Sequence, residues 1–230
     1  MTVFHVPPDA GGGVLNNGDL MAVVGSVDVV SGAPTLVAGG AANGVTVNSG
    51  GFLGVEYGIA TGTTVNAGGR MGVSARIYFG GPYPGAIITT ATARDTVVNS
   101  GAYLATSFDQ ILAQETTLYN TMINGGTVWM TGTGIDTTVN AGGTLDVLFG
   151  TASSTTLNDG TVTLYRLAKA SDVTVNGGTL MLGDASLEIA GGIASHVTVN
   201  NGGTMVAFDG GTAIDTTVNN NGTVIASGGG

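Results

Sequence analysis

Apolar and polar residues alternate along this chain in short bursts, and each burst ends on Asn followed by Gly. The bursts read "VTVNSGG" at Asn48, "TTVNAGG" at Asn66, "TVVNSGA" at Asn99, "TMINGGT" at Asn124 and "TTVNAGG" at Asn140. They continue as "TTLNDGT" at Asn158, "VTVNGGT" at Asn176, "VTVNNGG" at Asn200 and "TTVNNNG" at Asn219. The residue before Asn is always aliphatic, the one before that is mostly Thr, and the one before that is mostly Thr or Val. Period-two alternation with β-branched residues throughout predicts a strand, aliphatic position inward and middle Thr outward. After the Gly turn a second alternating stretch follows, as in Leu145-Asp146-Val147 or Val128-Trp129-Met130. Each unit is therefore strand, Gly turn, strand and a looser return.

Successive anchors lie 18, 33, 25, 16, 18, 18, 24 and 19 residues apart. The basic unit has about 18 residues, and the longer spacings are that unit plus an insertion. Upstream, "VLNNGDLMAV" and "VVSGAPTLV" read as degenerate copies. Gly, Thr, Val and Asn are poor helix formers, and no segment holds a 3.6-residue apolar period. Two strands per unit at near-constant length predict an all-β, single-stranded parallel β-helix rather than a β-sandwich, which needs no anchor at coil spacing. About eleven coils stacked at roughly 4.8 Å form a rod of roughly 50 Å. The Asn column is expected to bond coil to coil at the bend, where Gly supplies φ > 0. Residues 1–43 are expected to form degenerate coils or a cap, continuous with the repeat β-helix of 44–230.

Composition narrows the function. Hydrophobic residues reach 43% and charged ones only 9%, so the chain folds rather than staying disordered. Its 42 Gly lack the three-residue period of collagen. A net charge of −10, with no basic stripe, argues against nucleic acid as a partner. Cys is absent, which removes disulfides and thiolate metal sites and suits an exported bacterial protein. No apolar run approaches the roughly 18 residues of a membrane helix. The opening "MTVFHVPPDAGGG" has no signal-peptide pattern, so export would rely on a signal outside this chain or on another route.

At "TTVNAGGTLDV", with the neighbouring GGxAxxTTVN spacing, the chain resembles the AIDA-type repeats of bacterial autotransporter adhesins, over roughly Gly44 to Gly230. The resemblance implies a surface-exposed passenger folded as a right-handed β-helix, often self-associating, and in some members glycosylated on Ser or Thr. The chain departs from the family in having no membrane-barrel domain and in the frequency of its insertions.

Candidate chemistry sits where the repeat is broken or where its columns hold unusual residues. The position four before each Asn reads Gly44, Gly62, Asp95, Asn120, Asp136, Ser154, Asp172, His196 and Asp215. Asp172, His196 and Asp215 fall on consecutive coils, an acid/base or metal arrangement in principle. Short polar residues also suit a strand-entry turn, where they bond nearby backbone, and that reading is preferred. The insertion "RIYFGGPYPGAII" (Arg76 to Ile88) gathers Tyr78, Phe79 and Tyr83, a contact surface for sugar or protein if it is not a flap over an apolar edge. Trp129 stands in an outward column that elsewhere holds Gly54, Gly72, Asp146 and Thr163. It is a contact residue, or else it is covered by the insertion Thr106 to Tyr119. The outward Thr ladder is interrupted by Val97 and Met122, which disfavours ice binding. There is no calcium nonapeptide array, P-loop, HExxH or GxSxG, so no metal, cofactor or catalytic residue is assigned.

The function expected is a non-catalytic extracellular adhesion module on the bacterial cell surface. Its partner is itself, through lateral pairing of rods, or a host or glycan surface, and this segment does not insert in a membrane. A polysaccharide-binding or polysaccharide-processing β-helix, of the lyase or tailspike kind, is the alternative. A scaffold for Ser/Thr glycosylation is the third.

Overall fold

A strand with one apolar face and a free edge satisfies its backbone by pairing with the equivalent strand of the next unit. That is what the computed structural model of the chain shows. Backbone and side chains are described over 40–75, 90–106, 115–165, 167–183, 191–208 and 210–227. In the remainder only the backbone of seven strands is described: Val3–His5, Val14–Leu15, Leu20–Val24, Val27–Val30, Ala33–Leu36, Ile77–Phe79 and Ala86–Ile88.

The stretch after each paired Gly builds a front face. Its strands form one eleven-stranded sheet in chain order, including Leu20–Val24, Phe52–Glu56, Arg70–Ser74, Tyr103–Thr106, Thr127–Met130 and Thr144–Val147. The last is Thr223–Ala226, and every neighbouring pair is parallel, as Phe52↔Arg70↔Tyr103 illustrates. Eleven front strands among the described residues match the expected number of coils. The Asn-terminated strands, such as Thr46–Val47, Thr64–Val65 and Met122–Asn124, build an anchor face. With a third set they belong to a fifteen-stranded sheet.

That third set corrects the expectation of a loose return. Ile59–Thr61, Ala91–Arg94, Thr116–Tyr119 and Thr133–Ile135 are parallel strands of a return face. From Thr151 onward, return and anchor segments run together as seven-residue strands, as in Lys169–Val175 and Ile193–Val199. Each coil thus has three faces around one core.

The three faces meet at two kinds of bend with separate causes. Between return and anchor strands, all nine residues four before Asn adopt φ between 49° and 66°. Seven of them are Asp, Asn, Ser or His, and Asn, Asp and His are the non-Gly residues most often found in the left-handed region. At the Asn corner, Gly50, Gly68, Gly101, Gly142 and Gly202 take φ between 72° and 83°. The next residue's N–H closes the turn onto the Asn carbonyl, as Gly143 N donates to Asn140 O at 2.8 Å. A turn with φ > 0 at its third residue demands Gly or Asn there.

The core is the axis of the rod. Val47, Val65, Val98, Ile123, Val139, Leu157, Val175 and Val199 are fully buried from the anchor face. Leu53, Met71, Leu104, Val128, Leu145, Val162, Leu180 and Met205 meet them from the front face. The return face presents small residues six before each Asn: Ala42, Ala60, Ala93, Ala152, Ala170 and Ala194, with Gly134 and Leu118 in the same column. Where Gly134 leaves space, Met130 fills it, its Sδ 2.7 Å from where a Cβ would lie. Each buried aliphatic side chain contributes roughly 1.5–3 kcal/mol of transfer free energy.

The Asn column bonds coil to coil as expected at seven of its eight steps, the step from Asn99 to Asn124 excepted. Asn66 Nδ2 donates to Asn48 Oδ1 at 2.8 Å, Asn99 to Asn66 at 2.9 Å, and Asn140 to Asn124 at 2.7 Å. The series continues through Asn158, Asn176, Asn200 and Asn219 at 2.7–3.2 Å. "VLNNGDLMAV" is a coil: Val14–Leu15 pairs with Thr46–Val47 and Leu20–Val24 with Phe52–Glu56. "VVSGAPTLV" is not. Val27–Val30 and Ala33–Leu36 pair antiparallel, because two intervening residues close a hairpin but not a parallel crossover.

Candidate interaction surfaces

The extra residues in the chain fall at a single corner of the coil. Insertions separate Val24 from Ala41, Ser74 from Ala91, Thr106 from Thr116 and Leu182 from Ile193. Each follows a front-face strand and precedes a return-face strand. Of the insertion Arg76 to Ile88, Ile77–Phe79 and Ala86–Ile88 form an antiparallel pair with Tyr78 opposite Ile87. Tyr83, and the side chains of Tyr78 and Phe79, lie outside the described residues. So do residues 107–114 of the insertion proposed to cover Trp129.

The opposite edge of the coil is uninterrupted. Along the anchor face the outward column runs Thr46, Thr64, Val97, Met122, Thr138, Thr156, Thr174, Thr198 and Thr217, half-buried except for the exposed Met122 and Thr217. The Asn ladder borders it. Seven Thr rungs, interrupted by Val97 and Met122, therefore make a mainly polar strip free of insertions.

On the front face, two outward columns before the insertion corner change character over a few coils. The first outward column reads Phe52, Arg70, Tyr103 and then Thr127, Thr144 and Thr161. The middle outward column reads Gly54, Gly72, Ala105, Trp129 and Asp146. Three small residues in succession leave a trough, and the Phe52 ring leans over it with Cζ 3.3 Å from where a Gly72 Cβ would lie. The resulting cleft has a volume of about 270 Å³, lined by Phe52, Arg70, Gly72, Ser74, Tyr103 and Ala105 among others. Trp129, 38% exposed, stands on the next coil, its ring centroid 6.3 Å from that of Tyr103 at 58°. Burial raises the Tyr103 phenol above its ordinary pKa, with Arg70 opposing the shift and Asp146 adding to it. Sequence reading singled out Trp129 but missed Phe52, Arg70 and Tyr103; the signal was their place in register one column over.

Asp172, His196 and Asp215 are brought together on consecutive coils. His196 Nδ1 is 3.8 Å from Asp172 Oδ1 and Nε2 is 3.7 Å from Asp215 Oδ2, with the side chains 64–71% exposed. These distances are too long for hydrogen bonds. Their shared property is the left-handed backbone, φ 51–56°, which is the turn role preferred above. Asp95 and Asn120, lower in the column, do bond, Asn120 Nδ2 to Asp95 Oδ1 at 2.6 Å. Among the described residues no group of three or more His, Asp or Glu is placed to hold a metal ion, and no helix is long and apolar enough to cross a membrane.

Stacked coils with an Asn rung, a left-handed bend and a paired-glycine corner define a parallel β-helix solenoid, and its repeats resemble the AIDA-type repeats of autotransporter adhesins. The particular likeness is to the crystal structure of the TibC-catalyzed hyper-glycosylated TibA55-350 fragment: TM-score 0.71 and 26% identity, covering 97% of this chain and 77% of that one. The Streptococcus pneumoniae surface protein and adhesin PfbA also matches, at 10% identity over 91% of this chain and 72% of that one, but its TM-score of 0.29 is too low to argue from. No protein-family model matches the chain, and no curated protein matches it by sequence.

Proposed function

We propose that this chain is a non-catalytic, surface-exposed adhesion module on the bacterial cell, whose rods associate side by side through the anchor face. The observation that carries the reading is the Thr/Asn strip, Thr on seven of nine rungs with five in succession from Thr138 to Thr217, uninterrupted by insertions because these lie at another corner. A flat, repeating polar strip matches a second copy of itself rung by rung. Each contact contributes of order 1 kcal/mol or less, and contacts on one rigid rod add as avidity. The likeness to the TibA fragment supports a passenger role.

Sedimentation velocity across a concentration series tests this. Wild-type chain should shift to dimers and larger species as concentration rises. Thr156→Arg/Thr174→Arg, which places like charges on neighbouring rungs, should stay monomeric with an unchanged melting curve. A wild-type chain that remains monomeric throughout, and does not clump cells displaying it, would sink the proposal.

A second reading is favoured by the hydroxyl columns themselves. Thr144, Thr161, Thr179 and Thr204 stack on the front face, each half-exposed, and the TibA fragment is hyper-glycosylated. These Thr are acceptor positions for glycosylation, and the intact mass of protein from its native source decides the point. Polysaccharide processing is less well supported, because its candidate groups Asp172, His196 and Asp215 stand apart in solvent.

A further inference from the structure

We infer that the front-face trough spanning Phe52, Arg70, Tyr103 and Trp129 is a binding site for an acidic oligosaccharide, with Arg70 as the carboxylate anchor. The site is separate from the anchor face, so it goes beyond lateral association and does not depend on it.

The front face changes abruptly along the rod. From Thr127 onward its first outward column is Thr on every coil through Thr223. Over the three coils before that, the same column is Phe52, Arg70 and Tyr103. The repeat's own stacking needs none of these: the Thr coils pair in the same register without them. In the middle column the side chains vanish over the same coils, at Gly54, Gly72 and Ala105. Large rings beside bare backbone make a concavity on a face that is otherwise flat.

Its surfaces fit a sugar. Rigid rings flank bare backbone at Gly72. The negative face of an aromatic ring attracts the polarised C–H face of a pyranose. Four rungs from Phe52 to Trp129 span about 14 Å, the length of a short oligosaccharide rather than of one ring.

Charge decides the class of sugar. In a chain of net charge −10, the cleft itself is lined by one Arg and no acid, and the nearest carboxylate in the column, Asp146, stands one coil beyond Trp129. Arg70 has no carboxylate within ion-pair distance among the described residues, unlike Arg94, whose guanidinium sits 4.1 Å from the Tyr119 ring centroid on the return face. An exposed guanidinium between two rings is placed to take a carboxylate in its two-pronged fork. A uronate supplies both the C–H face and the carboxylate.

Trp129 is the only tryptophan in the chain, so its emission reports on the trough directly. Titration of the whole chain with tri-galacturonate should change that emission to saturation, and the change should weaken as salt is added. Maltotriose, neutral and of similar size, should leave the emission unchanged. Arg70→Gln should weaken binding about tenfold or more. Gly72→Leu, which fills the trough and keeps the charge, should abolish it. Both variants should sediment as the wild type does, which separates this site from the anchor face. The proposal is overturned if tri-galacturonate gives no saturable change, if maltotriose binds as tightly, or if both variants bind like the wild type.

Discussion

The two glycines at the Asn corner look interchangeable in sequence but should respond to substitution unequally and for different reasons. Gly142 has φ 72°, and a Cβ there would meet nothing closer than Gly125 Cα at 3.7 Å. Gly143 lies outside the left-handed region, but its Cβ would sit 2.7 Å from Ile123 O, 2.9 Å from Asn140 O and 3.1 Å from Ile123 Cγ2. The first carbonyl belongs to the coil below and accepts the rung bond from Asn140 N at 2.9 Å. Gly142→Ala therefore costs backbone strain of about 1–2 kcal/mol, offset by about 0.4–1 kcal/mol from the stiffer unfolded chain. The net is under about 1.5 kcal/mol. Gly143→Ala must separate two coils against backbone atoms that cannot rotate away, an overpacking of about 1–3 kcal/mol. The chain contains one natural case: Ala102 occupies the second-glycine place, and the neighbouring rung bond, Tyr103 N to Gly69 O, is still made at 3.2 Å. Asn sharpens the contrast. Gly142→Asn should nearly recover wild-type stability, because Asn tolerates the left-handed region, while Gly143→Asn should be worse than Gly143→Ala. Thermal melting followed by circular dichroism reads the difference at about 2–4 °C per kcal/mol for a chain of this length. If Gly143→Asn melts as high as Gly142→Asn, close coil approach is not why the second glycine is there.

Other substitutions test the remaining columns. The hydroxyls of Thr63, Thr96, Thr121 and Thr155 are buried with no hydrogen-bond partner, and Val45, Val173 and Val197 fill the same inward column. Thr121→Val should thus raise stability by about 1 kcal/mol, and a lower melting temperature would contradict the buried, unpaired hydroxyl. Asn140 both donates to Asn124 and accepts from Asn158. Asn140→Ala should cost about 1–2 kcal/mol in urea unfolding. Asn140→Asp should cost more, because a carboxylate cannot donate to Asn124 Oδ1; equal stability of wild type and Asn140→Asp would refute a hydrogen-bonded ladder. His196 is held at φ 51°, so His196→Val should be less stable than His196→Gly by about 1–2 kcal/mol. Were the two equally stable, the bend would not be what selects the residue there.

The sequence by itself determined the coil. Strand pairing in a solenoid is between equivalent positions of successive units, so spacing alone specifies register: Asn48, Asn66 and Asn99 had to stack once the chain wound. Inward and outward positions followed from period two, and the Gly and Asp columns announced their bends by residue type. The return face escaped, although its Ala42, Ala60 and Ala93 stand six before Asn throughout, because a column of Ala carries too weak an apolar contrast to read as a strand. What only the tertiary structure decided is what lies beside what between columns. Anchor spacing cannot show that four insertions share one corner, because that depends on where in the coil the winding turns. Nor can it show that Phe52, Arg70 and Tyr103, 18 and 33 residues apart, wall the gap left by Gly72. A trough is a relation between adjacent columns on one face, and adjacency across a sheet exists only once the coils are stacked.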